Sequence, residues 1–126
     1  MWSFFGWSVQ GGTYIAVFRL AKRRRIRVGR LGCFSFKPGV YFYVGSAQRN
    51  LSARIERHGR KDKLLRWHID YLSAKAMMIG AMVVPGPREQ ECELAKRLRH
   101  MYELAVPGFG ASDCRCGGHL YYTPVL

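Results

Sequence analysis

The sequence predicts one α+β domain, and three observations carry that expectation. Short runs rich in β-branched and aromatic residues fill the first third of the chain and return near its C-terminal end. Between them lie stretches that read as helices, the clearest with Leu94, Leu98, Met101 and Leu104 at helical spacing. A length of 126 residues with 48% apolar content is enough for one modest core, and no internal repeat or low-complexity linker divides it.

Each element follows from its residues in order. The opening Met1-Trp2-Ser3-Phe4-Phe5-Gly6-Trp7 is aromatic and lacks a basic n-region, so it reads as a lead-in packing on the first strand rather than a signal peptide. "GTYIAVFRL", 12 to 20, is a strand by composition and partial alternation. After a basic turn, "IRVGRLGCFSF", 26 to 36, alternates, with Ile26 and Val28 on one side and Arg25 and Arg27 on the other. That pattern predicts a second strand hairpinned to the first. Lys37-Pro38-Gly39 turns the chain into a third strand, "VYFYVG", 40 to 45. Asn50 or Ser52 can cap a helix reaching about residue 58. "LLRWHIDYLSAK" reads as a helix or strand-helix junction, "AMMIGAMVV" as a buried strand, and 88 to 105 as a long helix stopped by Pro107-Gly108. The tail is a loop followed by a short strand.

Charge bounds the function. Twenty-one Lys and Arg against eight Asp and Glu give +13 and a pI near 10.2, which points to a polyanionic partner, nucleic acid ahead of an anionic membrane surface. No apolar run approaches the roughly 18 residues of a membrane span. Cys33, Cys92, Cys114 and Cys116 are too few and too uneven for a secreted disulfide framework, so a reducing cytoplasm is the expected compartment.

Several short motifs then fall in order: "GTY", "GRLG", "PGVYFYVGSA", "RIERH", "RWHIDYL", "ECELA", "GFGASDC" and "HLYY". Together they resemble the GIY-YIG nuclease superfamily, and most closely its Uri-type branch of small stand-alone endonuclease-like proteins. The resemblance implies a small α+β domain with a central three-stranded, mainly antiparallel sheet flanked by helices, here with an extended N-terminal hairpin. It also implies hydrolysis of nucleic-acid phosphodiesters with one divalent ion, Mg²⁺ or Mn²⁺. Matched position by position, Tyr14 and Tyr43 take the places of the two motif tyrosines, Arg54 that of the helix arginine, His58 that of the residue one turn on, and Glu91 that of the metal-binding glutamate. Two departures stand out. Twenty-eight residues separate Tyr14 from Tyr43, more than a short hairpin needs, and Ser46 stands where some members carry a lysine.

The residue chemistry agrees with that likeness. Arg54 offers a permanently charged planar fork to a phosphate, and His58, four residues on, shares its helix face. Glu91 is a hard oxygen ligand suited to Mg²⁺ or Mn²⁺. A tyrosine beside a metal and cations can act as a base, so Tyr43 is the expected base or water-positioner and Tyr14 its hydrogen-bonding partner. His68 is a secondary candidate, against a plain reading in which Asp70 caps a helix and His68 is a satisfied, partly buried side chain. Glu89 and Glu93 compete with Glu91 for the ligand role. Arg25, Arg27, Ser46, Arg57, Arg60 and Lys61 are the expected nucleic-acid contacts, with DNA favoured over RNA and no membrane partner. In "CRCGGH", a structural zinc on Cys114, Cys116 and His119, completed by Cys92, competes with the preferred reading of a tight loop whose cysteines are small buried hydrophobes. A non-catalytic basic nucleic-acid-binding module on the same fold is the rival to the endonuclease.

Overall fold

The computed structural model describes residues 11–110 and 117–124. Its main sheet has five antiparallel strands in the order β5-β1-β4-β7-β6. Strand β1 (Gly12–Leu20) pairs along its full length with β4 (Gly39–Ala47) and on its other side with β5 (Met77–Val84). Strand β7 (Leu120–Thr123) adds to β4, and the two-residue β6 (Glu103–Leu104) adds to β7. The sheet therefore exceeds the three strands expected, because the apolar run at 77 to 84 takes one free edge and the C-terminal strand the other.

The hairpin partner of the first strand also differs from expectation. Residues 26 to 36 form two strands, not one: β2 (Arg24–Val28) and β3 (Gly32–Phe36) pair with each other around a 3-10 turn at Gly29–Leu31. Gly29 and Gly32 at φ +49° and +130° supply the reversal that an alternating pattern alone does not reveal. The alternation itself holds. Ile26 and Val28 are buried, while Arg25 and Arg27 are exposed.

Both faces of the sheet are covered, which is why β1 is apolar at nearly every position. Tyr14, Ala16, Phe18 and Leu20 join one core cluster with helix α1 (Leu51–Gly59), helix α2 (His68–Ser73) and the β2–β3 hairpin. Ile15 and Val17 face the other way, toward Ala95 and Leu98 of helix α3 (Gln90–Arg99). Helix α3 is shorter than the pattern over 88 to 105 predicts. Residues Glu103 and Leu104 leave it to pair with Tyr122 and Tyr121, and Met101 is exposed. Strand β5 is an edge strand, with Met77, Ile79 and Met82 exposed, rather than the buried strand expected. Among the described residues no helix is long and apolar enough to cross a membrane. The aromatic lead-in at residues 1–7 lies outside the described residues.

Candidate active site

The site has two halves, one on each face of the sheet, meeting at the end of β4. Successive β4 residues point to opposite faces, so Tyr43 and Gly45 face α1 while Val44 and Ser46 face α3. Register places Gly45 directly opposite Tyr14. A Cβ on Gly45 would lie 2.6 Å from both Tyr14 Cζ and Tyr14 Oη and 3.0 Å from Tyr43 Cε2. Only glycine lets both tyrosine rings lie across the strand there.

The Tyr14 hydroxyl meets His58 of α1, with Oη 2.6 Å from Nε2. Tyr14 and Tyr43 are neighbours, their ring centroids 6.3 Å apart, but the hydrogen-bond partner of Tyr14 is His58 rather than Tyr43 as expected. Burial, followed by the Lys63 charge, pushes His58 down to about 3, so its imidazole is neutral at neutral pH. Its Nδ1 is buried and meets no partner among the described residues. A bare acceptor is cheaper to bury than an orphan N–H, so the proton belongs on Nε2, from which it is donated to Tyr14. Burial raises the pKa of both tyrosines, with the Tyr43 charge adding to the effect on Tyr14 and Glu91 adding to the effect on Tyr43. The Arg54 guanidinium opposes the rise in both. Both side chains are therefore neutral phenols without a metal.

Arg54 is held from two directions. One of its nitrogens donates to the Ser46 carbonyl at 2.8 Å, and its guanidinium lies 4.7 Å from the Trp67 ring centroid. Trp67 also carries Arg57 at 4.5 Å and packs edge-on against His58. The expected pairing of Arg54 and His58 on one helix face is present, and Trp67 stiffens it.

The other half is a clamped carboxylate. Ser46 Oγ donates to Glu91 Oε1 at 2.5 Å, and His119 Nδ1 lies 2.7 Å from Glu91 Oε2. Burial alone would raise the Glu91 pKa, but hydrogen bonds from His119 and Ser46, with the charge of Arg88, hold it below the usual carboxylate range. Ser46 thus ties the halves together, its hydroxyl on Glu91 and its carbonyl on Arg54. The competing acids face elsewhere, with Glu89 and Glu93 exposed and Glu93 beside Arg97. Each carboxylate oxygen of Glu91 accepts one hydrogen bond and keeps lone-pair capacity, so this hard, ionised ligand fits Mg²⁺ or Mn²⁺, which retains most of its waters.

His68 starts α2 and accepts a hydrogen bond from the Gly110 backbone at 2.8 Å through Nδ1. Gly110, at φ +67°, lies against the Tyr43 ring, so His68 braces the loop that backs Tyr43. Asp70 is buried and caps α2 by accepting from the Arg66 and Trp67 backbone amides. Both match the plain reading of "RWHIDYL".

Two expected nucleic-acid contacts are committed inside the protein. Arg57 makes a two-pronged salt bridge to buried Asp70, at 2.6 and 3.0 Å, and also donates to the Leu64 carbonyl. Lys61 donates to the Ser73 and Ala76 carbonyls, closing the end of α2. Sequence reading takes both as free because their acceptors are distant in the chain. Ser46, a third expected contact, gives its hydroxyl to Glu91. Arg25, Arg27 and Arg60 are exposed. In the zinc reading, His119 instead faces Glu91, Cys92 is disulfide-bonded rather than a free thiolate or thiol, and Cys114 and Cys116 lie outside the described residues. The sequence-level signal for His119 as a partner of Glu91 is only its place just before a short strand.

The family whose model matches the chain is described as Domain of unknown function DUF123, and the match runs over residues 13–125. No curated protein and no solved structure matches it.

Proposed function

The chain belongs to the DUF123 family, and we propose that it is a divalent-metal-dependent endonuclease that hydrolyses nucleic-acid phosphodiester bonds. The observation that carries this reading is the joint presentation of Tyr14, Arg54 and His58 at the end of β4, with Glu91 tied to Arg54 through Ser46. The motif likeness to GIY-YIG nucleases, which singled out the same residues, points to the same reaction. Phosphodiester cleavage needs charge neutralised on the phosphoryl oxygens, a positioned water and help for the leaving oxygen. Arg54 supplies the fixed cation. Glu91 would hold Mg²⁺ or Mn²⁺, which when bound supplies Lewis-acid neutralisation and acidifies water.

The tyrosines divide the remaining work. Tyr14 Oη takes a hydrogen bond from His58, which leaves its own proton to be donated to a phosphoryl oxygen or a water. That donor, with the nearby charge of Arg54, would stabilise the phenolate once the proton leaves. Tyr43 stands beside it as a second base or water-positioning group. His58 acts as a neutral donor, and His68 positions the Tyr43 loop. The exposed arginines of the β2–β3 hairpin, Arg25 and Arg27, with Arg60 beyond α1, would track a phosphate backbone. A lone small domain has little surface for reading sequence, so DNA that is single-stranded or structurally distinctive is the favoured substrate.

The test is cleavage of end-labelled single-stranded, duplex and branched DNA and of matched RNA, with Mg²⁺, Mn²⁺ or EDTA. Metal-dependent cutting that EDTA abolishes supports the endonuclease. Binding in gel shift with every substrate left intact assigns the chain to the rival class, a basic nucleic-acid-binding module.

A further inference from the structure

Beside the carboxylate half of the site lies a cleft of about 280 Å³, where the ends of β1 and β4 meet the turn leading into α3. Its size falls just below that of drug-sized ligand clefts, which run from about 300 Å³ upward. Gly11, Gly12, Ser46, Gln48, Gly86 and Arg88 line it, and neither a carboxylate nor an aromatic ring is among its lining residues. With the Ser46 hydroxyl given to Glu91, backbone, the Gln48 amide and one guanidinium remain to meet a ligand, and they suit a polar anion. The absence of a stacking platform disfavours a nucleobase, which proteins grip through aromatic faces.

Arg88 is the sole formal charge in the lining. It is exposed, and among the described residues its guanidinium makes no hydrogen bond or ion pair, its one electrostatic neighbour being Glu91 at longer range. That sets it apart from Arg54, Arg57, Lys61 and Lys63, which all donate to protein acceptors. The cleft is also continuous with the site, because Ser46 lines it while its hydroxyl holds Glu91.

We propose that this cleft is a flanking subsite that receives the sugar-phosphate of the nucleotide next to the scissile bond, with Arg88 contacting that nucleotide's phosphate. The assignment rests on the endonuclease reading for the word "scissile", and on the cleft and its free cation for the rest. Arg88 is a substrate-positioning residue that the sequence gives no reason to single out, since it directly follows the Pro85-Gly86-Pro87 turn and precedes acidic residues of the next helix.

The experiment measures the Kd of a fluorescein-labelled single-stranded oligonucleotide across a salt series, and KM and kcat for its cleavage. It compares the wild-type chain, Arg88→Ala, Arg88→Gln and a charge-matched control, Lys96→Ala, from exposed α3. Losing a charged hydrogen bond to phosphate is expected to raise Kd about tenfold and to reduce the salt slope by about 0.7 to 0.9. The cleavage loss should fall on KM rather than kcat, while Lys96→Ala changes Kd less than about twofold, as for a solvated charge. Equal effects of the Arg88 and Lys96 variants, or an Arg88 loss confined to kcat, overturn the subsite. If the wild type binds the oligonucleotide without cutting it, the hydrolytic reading fails, and the Kd comparison alone decides the cleft.

Discussion

Tyr14 Oη and His58 Nε2 stand 2.6 Å apart although they lie 44 positions apart in the chain, and the imidazole is buried and neutral. The first strand and the first helix are thereby joined at the point where the proposed chemistry occurs. Replacing Tyr14 with Phe removes the hydroxyl and leaves His58 Nε2 buried without its partner. The expected cost is about 1–3 kcal/mol of stability, read by chemical denaturation. Cleavage should fall about 10²–10⁴-fold, the range of a lost acid–base group. A fully active Tyr14→Phe protein would remove Tyr14 from the mechanism.

The neutral imidazole has a pH signature. Its folded pKa of about 3 lies below the ordinary value near 6.5, so between those values the unfolded chain binds the extra proton. The stability it contributes is complete above about pH 6.5 and is lost as pH falls toward 3, by at most ~1.4 kcal/mol per pH unit. Denaturation at successive pH values should give a steeper acid limb for the wild type than for His58→Gln. Identical limbs would mean that His58 titrates normally in the folded chain.

Arg57 and Asp70 form a second long-range pair, and Asp70 is fully buried. Removing the arginine leaves an uncompensated buried carboxylate. Arg57→Ala is expected to lose about 3–5 kcal/mol, measurable as a large drop in the urea midpoint. Loss of nucleic-acid affinity at unchanged stability would instead restore Arg57 as a surface contact.

His119 and Ser46 fix the Glu91 carboxylate from both oxygens. Groups that orient a metal ligand typically account for about 10–100-fold in metal affinity. His119→Ala should weaken Mn²⁺ binding by that factor in a titration followed by electron paramagnetic resonance. His119→Asn, which keeps a donor near the position of Nδ1, should recover part of it. Unchanged Mn²⁺ affinity in His119→Ala would show that the clamp does not tune the ligand.

Much of this arrangement is legible in the sequence because it is local. Strand β1, strand β4, helix α1 with Arg54 and His58 on one face, and Asp70 as a cap all follow from spacing and side-chain type within a few residues. Tertiary pairing is what the sequence hides. A one-strand reading of residues 26 to 36 misses the reversal at Gly29–Gly32, and a continuous helix over 88 to 105 misses the capture of Glu103–Leu104 by β7. Arg57 and Lys61 look like surface charges until Asp70 and the end of α2 arrive beside them. His119 and Trp67 carry no local mark of their roles, since one acts across the sheet on Glu91 and the other gathers arginines from α1.

The central claim is that Glu91 serves metal-dependent phosphodiester cleavage, and one comparison bears on it most directly. Single-turnover cleavage of a labelled DNA strand is measured for the wild type and for Glu91→Gln, whose equal melting temperature certifies the fold, with Mg²⁺ or EDTA. The account predicts cutting by the wild type with Mg²⁺ alone and a loss of at least about 10²-fold in Glu91→Gln. Cutting by Glu91→Gln at the wild-type rate, or cutting by the wild type undiminished in EDTA, would contradict it.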